Sequence, residues 1–175
     1  MIKSFKESGL LLVMMTLLTG VFYPGLITAV SQLVWPFQAN GSLMQDSHGV
    51  TRGSYLLGQA YPQSGYFHLR PLTGQDNGGR GNLAVSSEQR RQFEAAHAKP
   101  NMPAVLATVS ASGVDPDLPF DAVVYQVPRV AKERHLSLSR VNSLVQSQIL
   151  GGMLGPRYVN VMRLNQELDK ISGIH

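Results

Sequence analysis

The stretch LLLVMMTLLTGVFYPGLITAVSQLV runs from Leu10 to Val34 without a charged side chain, and the uncharged region around it extends from Glu7 to Asp46. A helix of 25 residues is about 37 Å long, which exceeds the hydrocarbon thickness of a bilayer, roughly 30 Å. We therefore predict a transmembrane helix over residues 10–34. Residues 1–9 then form a short N-terminus, residues 35–47 an exit segment and residues 48–175 a folded domain.

Polar and small residues within the apolar stretch favour a protein neighbour over lipid alone. Pro24 and Gly25 predict a kink in the middle of the helix, and Trp35 follows the helix where an interfacial anchor is expected. The polar side chains are Thr16, Thr19, Thr28, Ser31 and Gln32. The alternative interpretation is a cleaved signal peptide, but the apolar run is longer than a signal sequence needs.

The charges flanking the stretch predict its orientation. Lys3 and Lys6 precede it, whereas the first basic residue after it is Arg52. Basic residues near a span favour the cytoplasmic side. We expect a cytoplasmic N-terminus and an extracytoplasmic domain, which lies in the periplasm if the membrane is a bacterial inner membrane.

The remaining sequence alternates between strand-like and helix-like patterns. Predicted strands are Tyr55–Leu57, Tyr66–Leu69, Val105–Val109 and Tyr158–Val161. Helices are expected after Ser86, which forms a capping box with Gln89, over part of Val123–Leu136, after Ser139, and along Leu164, Leu168 and Ile171. Pro128 should start or interrupt its helix. The fold class is one transmembrane helix followed by one mixed α/β or α+β domain.

Composition and motifs give little sign of chemistry. The net charge is +4, the basic residues are scattered, and no cysteine is present, so we expect no nucleic-acid surface and no thiolate site. Gly79 to Ala84 formally matches a dinucleotide fingerprint, but a polar turn precedes it instead of a strand. The five histidines lack ligand spacing, and Asp115, Asp117 and Asp121 fit turn and capping roles better than a cation site. We predict no catalytic, metal-binding or cofactor-binding residue in this chain.

Several blocks of sequence, in order along the chain, resemble the KdpC family, the C subunit of the Kdp potassium-transporting P-type ATPase. They are Thr19 to Gly25 within the span, Trp35 to Leu43 after it, Gly58-Gln59, Tyr66 to Pro71, Gly78-Gly79 with Asn82-Leu83, Ser110 to Pro116, the Gln126, Arg129 to Ala131 and Arg134 pattern, and Gly155 with Val159 to Asn165. Each block alone is short, but together they cover nearly the whole chain. From them we take candidate partner-contact residues: Gly20, Tyr23, Pro24, Asn40, Arg70, Pro71, Gly78, Gly79, Asn82, Asp115, Gln126, Arg129, Asn160 and Asn165.

The resemblance implies a non-catalytic accessory subunit of an ATP-driven potassium uptake complex in a bacterial inner membrane. Its expected partners are a potassium-translocating subunit, a P-type ATPase subunit, a small single-span subunit and the lipid bilayer. ATP and potassium would be handled by those partners, so any effect on the ATP affinity of the ATPase subunit is transmitted indirectly. The alternatives are a nucleotide-binding regulator or catalytic chaperone that contacts ATP directly, and a membrane-anchored enzyme.

Overall fold

The computed structural model describes residues 2–46, 48–72, 84, 86–153 and 155–173, without the side chains of residues 2–4. The chain divides into two compact units, Met1–Leu43 and Met44–His175. Each unit is described by itself below.

The first unit is helical throughout most of its length. Residues Phe5–Val34 form one helix that is long and apolar enough to cross a membrane, and the mean hydropathy of its most apolar 18 residues is 2.1. Its segments, in order, are α1 (Ile2–Leu17), a π-helical turn (Leu18–Phe22) and α2 (Tyr23–Val34), and the one-turn helix α3 (Pro36–Ala39) follows.

The second unit mixes short strands with helices. Two strands, β1 (Leu43–Gln45) and β2 (Thr51–Ser54), pair with each other. The remaining elements are α4 (Glu88–His97), a 3₁₀ turn (Ala104–Ala107), β3 (Asp117–Pro119), α5 (Phe120–Glu133), α6 (Leu138–Ser147), β4 (Ile149–Gly151), β5 (Arg157–Asn160) and α7 (Val161–Ser172). The prediction of one apolar helix followed by a mixed domain is therefore confirmed.

A small antiparallel sheet and three helices build the core of this domain. The strand order is β3-β5-β4, and Val159 in the central strand lies opposite Leu118 on one side and Ile149 on the other. Helices α5, α6 and α7 contribute most of the fully buried side chains. The buried cluster contains Phe67, Leu118, Val123, Val127, Val130, Ala131, Val141, Val145, Val159, Val161, Leu164 and Leu168.

Three of the four predicted strands are wrong. Tyr55 and Leu56 form a turn, because the Leu57 N–H donates to the Ser54 carbonyl. Val105–Val109 begins inside the 3₁₀ turn instead of a strand. Residues 66–69 pair with no strand in the described part of the chain, since two helices supply their backbone partners through side chains. The fourth strand is confirmed as β5, within one residue at each end.

The predicted helices form, with different caps and one unexpected proline. The serine that caps α4 is Ser87 instead of Ser86, and the serine that caps α6 is Ser137 instead of Ser139. Pro128 lies inside α5 without ending it. Because Pro128 has no N–H, the carbonyl of Val124, four residues earlier, has no donor within the helix. Both residues are exposed, so this carbonyl can face water.

Candidate functional site

The middle of the apolar helix contains a change of backbone hydrogen bonding. The Tyr23 N–H donates to the Leu18 carbonyl, five residues back, and Pro24 has no N–H to donate. The Thr19 hydroxyl donates to the Met15 carbonyl at 2.8 Å. The predicted disturbance at Pro24 is thus a π turn that precedes the proline. Single π turns within α-helices are frequent at functional sites.

The far end of this helix is fixed by a pair of amide side chains. Gln32 and Asn40 exchange hydrogen bonds, with Nε2 of Gln32 donating to Oδ1 of Asn40 at 3.4 Å and Nδ2 of Asn40 donating to Oε1 of Gln32 at 3.1 Å. Asn40 Nδ2 also donates to the Pro36 carbonyl at 2.6 Å. Among the candidate contact residues, Asn40 therefore holds the exit turn together.

In the domain, two buried amides hold the backbone of a segment that contains Phe67 and His68. Asn165 Oδ1 accepts from the Phe67 N–H and its Nδ2 donates to the Phe67 carbonyl, both at 2.9 Å. Gln126 does the same for His68, accepting from its N–H at 2.8 Å and donating to its carbonyl at 2.9 Å. Helices α5 and α7 thereby supply the hydrogen bonds that neighbouring strands supply in a sheet.

Arg129 extends this arrangement toward the turn before the segment. Its Nη2 donates to Oε1 of Gln126 at 2.8 Å, and its Nη1 donates to the Ser64 carbonyl. The guanidinium is half-buried, and burial lowers the pKa of Arg129 while Glu133 opposes that shift. Because the pKa of an arginine lies far above neutral pH, the side chain stays charged at neutral pH.

A second arginine, Arg134, is almost fully enclosed and lies outside the predicted candidates. Its side chain is 5% exposed and forms an ion pair with Asp169 at 2.8 Å. Nε donates to the Gly65 carbonyl at 2.8 Å, and the guanidinium carbon lies 4.2 Å from the centre of the Tyr66 ring. Arg134 and Asp169 are 35 positions apart, and no sequence pattern indicated their pairing.

Two further domain candidates, Arg70 and Asp115, also form hydrogen bonds within the chain. Arg70 donates to the carbonyls of Thr108 and Val109 and to the Thr108 hydroxyl, at 2.7–3.1 Å. Asp115 Oδ1 accepts from the Asp117 N–H at 3.1 Å, as in an Asx turn. Pro71 directly follows Arg70. Gly78, Gly79 and Asn82 lie outside the described residues.

Asn160 connects three separate parts of the domain. Its Oδ1 caps α7 by accepting from the Arg163 N–H at 3.0 Å, while Nδ2 donates to the Tyr55 carbonyl at 2.8 Å and to Oδ1 of Asp117 at 2.9 Å. Burial raises the pKa of Asp117, and the hydrogen bond from Asn160 opposes this shift. Asn160, at the end of β5, therefore links α7, β3 and the turn after β2 through hydrogen bonds.

A cavity of about 650 Å³ opens beside α7. All four of its charged side chains have ion-pair partners, since Asp46 pairs with Arg52, Asp169 with Arg134, and Lys170 with Glu167. The lining residues are Met44, Gln45, Asp46, Arg52, Gln59, Ala60, Tyr61, Gln166, Asp169 and Lys170. Burial raises the pKa of the Tyr61 phenol, with the Asp169 carboxylate adding to the effect.

We expect His68 to make the domain less stable in mild acid. Partial burial lowers the pKa of His68 below its ordinary value of 6.5, although the hydrogen bond of its Nε2 with the Gln63 carbonyl opposes this; Arg129 and Lys99 also lower it. The folded state binds a proton less readily than the unfolded state. Its contribution to stability is complete above about pH 6.5 and is lost as the pH falls toward the lowered pKa of the folded state.

Denaturation of the full chain in detergent at about pH 7.5 and pH 5 tests this, on either side of the ordinary histidine pKa of about 6.5. His68→Gln should lose less stability between the two pH values than the wild type. His97→Gln, at an exposed position on α4, is the matched control for the removal of a histidine side chain. An unchanged pH dependence in the His68→Gln variant would contradict the prediction.

Within the described residues, one apolar helix long enough to cross a membrane precedes one mixed domain, and this arrangement indicates a membrane-associated protein. The family model described as "K+-transporting ATPase, c chain" matches residues 5–170. The potassium-transporting ATPase KdpC subunit of Pseudomonas putida strain GB-1 is 41% identical over 174 residues, which cover 93% of this chain and 94% of that protein. The KdpC subunit of Pseudomonas aeruginosa is 38% identical over 178 residues, covering 96% and 97%.

The chain belongs to the KdpC family of potassium-transporting ATPase subunits. The resemblance identified from short sequence blocks is thereby confirmed over nearly the whole chain.

Proposed function

We propose that this chain is a non-catalytic accessory subunit of an ATP-driven potassium uptake complex. The observation that carries the proposal is that polar residues of the family-like sequence blocks form hydrogen bonds within the chain itself. Gln126 and Asn165 bind backbone groups of their own domain, and Arg70 binds two of its carbonyls. A catalytic site needs a base, a nucleophile and oxyanion donors directed at a substrate, whereas these side chains stiffen a scaffold.

The proposed topology places the N-terminus in the cytoplasm and the folded domain on the extracytoplasmic side of the membrane. Lys3 and Lys6 precede the apolar stretch Leu10–Val34, and no lysine or arginine follows it before Arg52. In this arrangement the domain stabilises the assembly from the extracytoplasmic side of the potassium-translocating subunit. An effect on ATP binding by the P-type ATPase subunit then passes through the membrane parts of the complex. The chain itself requires no cofactor under this proposal.

Co-purification tests the accessory role. With a C-terminal tag and a mild detergent, we expect the full chain to retain a P-type ATPase subunit, a multi-span potassium subunit and a small single-span subunit. The purified chain alone should show no ATPase activity. A folded chain that purifies without any of these partners would contradict the proposal and would favour an activity of the domain itself.

Thiol labelling tests the topology on a chain that contains no native cysteine. Met153 is 90% exposed in the domain, and Ser8 is exposed just before the apolar stretch that begins at Leu10. In intact spheroplasts, an impermeant thiol reagent should label the Met153→Cys variant. The Ser8→Cys variant, which keeps both flanking lysines, should react only after lysis. The reverse pattern would place the domain in the cytoplasm and favour the nucleotide-binding regulator.

A further inference from the structure

The π turn leaves one backbone carbonyl without a donor inside its own helix. In an α-helix the Thr19 carbonyl accepts from the N–H of residue 23, and in a π turn from that of residue 24. The Tyr23 N–H donates to the Leu18 carbonyl instead, and Pro24 has no N–H. Within the helix Ile2–Val34, all of which the structure describes, the Thr19 carbonyl therefore lacks both of its possible backbone partners.

This carbonyl lies at the depth where an unpaired polar group is most expensive. The candidate span runs from Phe5 to Val34, and Thr19 is at its midpoint, 14 residues from one end and 15 from the other. Transfer of an amide group to a hydrocarbon environment without a hydrogen bond costs several kcal/mol. The bilayer core contains no water to replace the missing donor.

The residue after Thr19 is glycine, so this turn lacks one side chain that would keep a neighbouring helix at a distance. A Cβ atom added to Gly20 would meet no heavy atom within 4 Å. Small residues at such positions allow the close approach of two helix backbones. The Thr19 hydroxyl cannot supply the donor, since its proton goes to the Met15 carbonyl.

We propose that the Thr19 carbonyl accepts a hydrogen bond from a donor side chain on a transmembrane helix of a partner subunit, at the middle of the bilayer. Serine, threonine, asparagine and glutamine are suitable donors. A second copy of this chain fits less well, because a parallel copy presents at the same depth a Thr19 hydroxyl that is already engaged. The inference rests on the proposed accessory function, since it requires a membrane partner.

Two substitutions in the full chain test the contact by co-purification. Gly20→Leu places a bulky side chain on the turn, and Pro24→Ala restores a backbone N–H that can close the turn internally. Each should reduce retention of the multi-span partner about three- to thirty-fold, the change that corresponds to the loss of one interhelical hydrogen bond. Gly9→Leu is the matched control near the other end of α1, where a Cβ also has open space, and it should retain the partner normally.

Wild-type retention separates failure of this inference from failure of the proposed function. If the wild type and all three variants retain the partner equally, the inference is overturned and the accessory role stands. If the wild type retains no partner, the proposed function fails and the inference fails with it. Recovery of a second copy of this chain alone also overturns the inference, because the donor was assigned to a different protein.

Carbonyl NMR provides a measurement that does not depend on retention. Labelling threonine carbonyl carbon and glycine nitrogen marks only the Thr19–Gly20 and Thr73–Gly74 peptide bonds in this sequence, and Thr73→Ser leaves the first alone. We expect the Thr19 carbonyl resonance to move downfield between the isolated chain and the assembled complex. The same resonance position in both states would overturn the proposal.

Discussion

Asn165→Leu is expected to destabilise the domain by about 2–5 kcal/mol, because it removes both hydrogen-bond partners of a buried peptide group. Asn165 is 0% exposed, and its amide satisfies both the N–H and the carbonyl of Phe67, which is also fully buried. Leucine has a similar branched shape, so little of the loss comes from an empty cavity. Each group left without a partner costs about 1–3 kcal/mol.

Denaturation of the full chain in detergent measures this loss. The single tryptophan, Trp35, lies at the end of the apolar helix, so tyrosine circular dichroism or pulse proteolysis is a better probe of the domain than tryptophan fluorescence. Asn142→Leu, at an exposed position on α6, is the matched control and should change stability by less than about 0.5 kcal/mol. Equal stabilities of the two variants would contradict the role assigned to Asn165.

The opposite side of the segment gives an internal check. Gln126→Leu removes both partners of the His68 peptide group and should also be destabilising. Because Gln126 and Asn165 hold consecutive residues of one segment, the double variant should lose less than the sum of the two single losses. Full additivity would mean that the two amides act on independent parts of the domain.

Arg134→Met is expected to cost about 3–5 kcal/mol, the range for removing one partner of a buried ion pair. The substitution leaves Asp169 without its cation and the Gly65 carbonyl without its donor. It also removes the guanidinium from the face of Tyr66, whose hydroxyl donates to the second oxygen of Asp169 at 3.1 Å. Asp169 is 30% exposed, so water offsets part of the loss and the lower half of the range is favoured.

An exposed arginine provides the comparison for Arg134. Arg91 pairs with Glu88, and both side chains are 65% exposed, so Arg91→Met should change stability by less than about 1 kcal/mol. Arg134→Lys keeps the charge but cannot donate to Gly65 and Asp169 with the same forked geometry, and it should lie between the two. A loss in Arg134→Met no larger than that in Arg91→Met would show that the buried pair contributes little.

The sequence predicted best those elements that a local hydrophobic pattern marks, such as an uncharged run, one apolar helical face or the alternation of a strand. The apolar helix follows from the uncharged run over residues 10–34, and α7 follows from Leu164 and Leu168, which lie on one helical face and are fully buried. The β5 strand follows from alternation around Val159, whose partners on both sides are supplied by β3 and β4. Helix starts were displaced by one or two residues, because nearby serines compete for the same capping role.

Five of the candidate partner-contact residues have a structural role within the chain itself. Arg70, Gln126, Arg129, Asn160 and Asn165 were selected as partner contacts, and the structure places each in hydrogen bonds within the chain. Their role toward a partner remains a prediction. A matching position in a sequence block can belong to a residue that stabilises the fold or to one that binds a partner. The sequence blocks alone therefore do not distinguish the two roles.

The sequence by itself determined the apolar helix of membrane-spanning length, the mixed character of the domain and the family, because hydropathy and ordered motifs are properties of the chain alone. Tertiary structure decided how the segment around Phe67 and His68 is held. Its apolar alternation predicted a strand, yet its backbone groups are satisfied by Asn165 and Gln126, 98 and 58 positions away. A backbone donor needs a partner but does not specify its source, and only the packing of α5 and α7 brings these amides within reach.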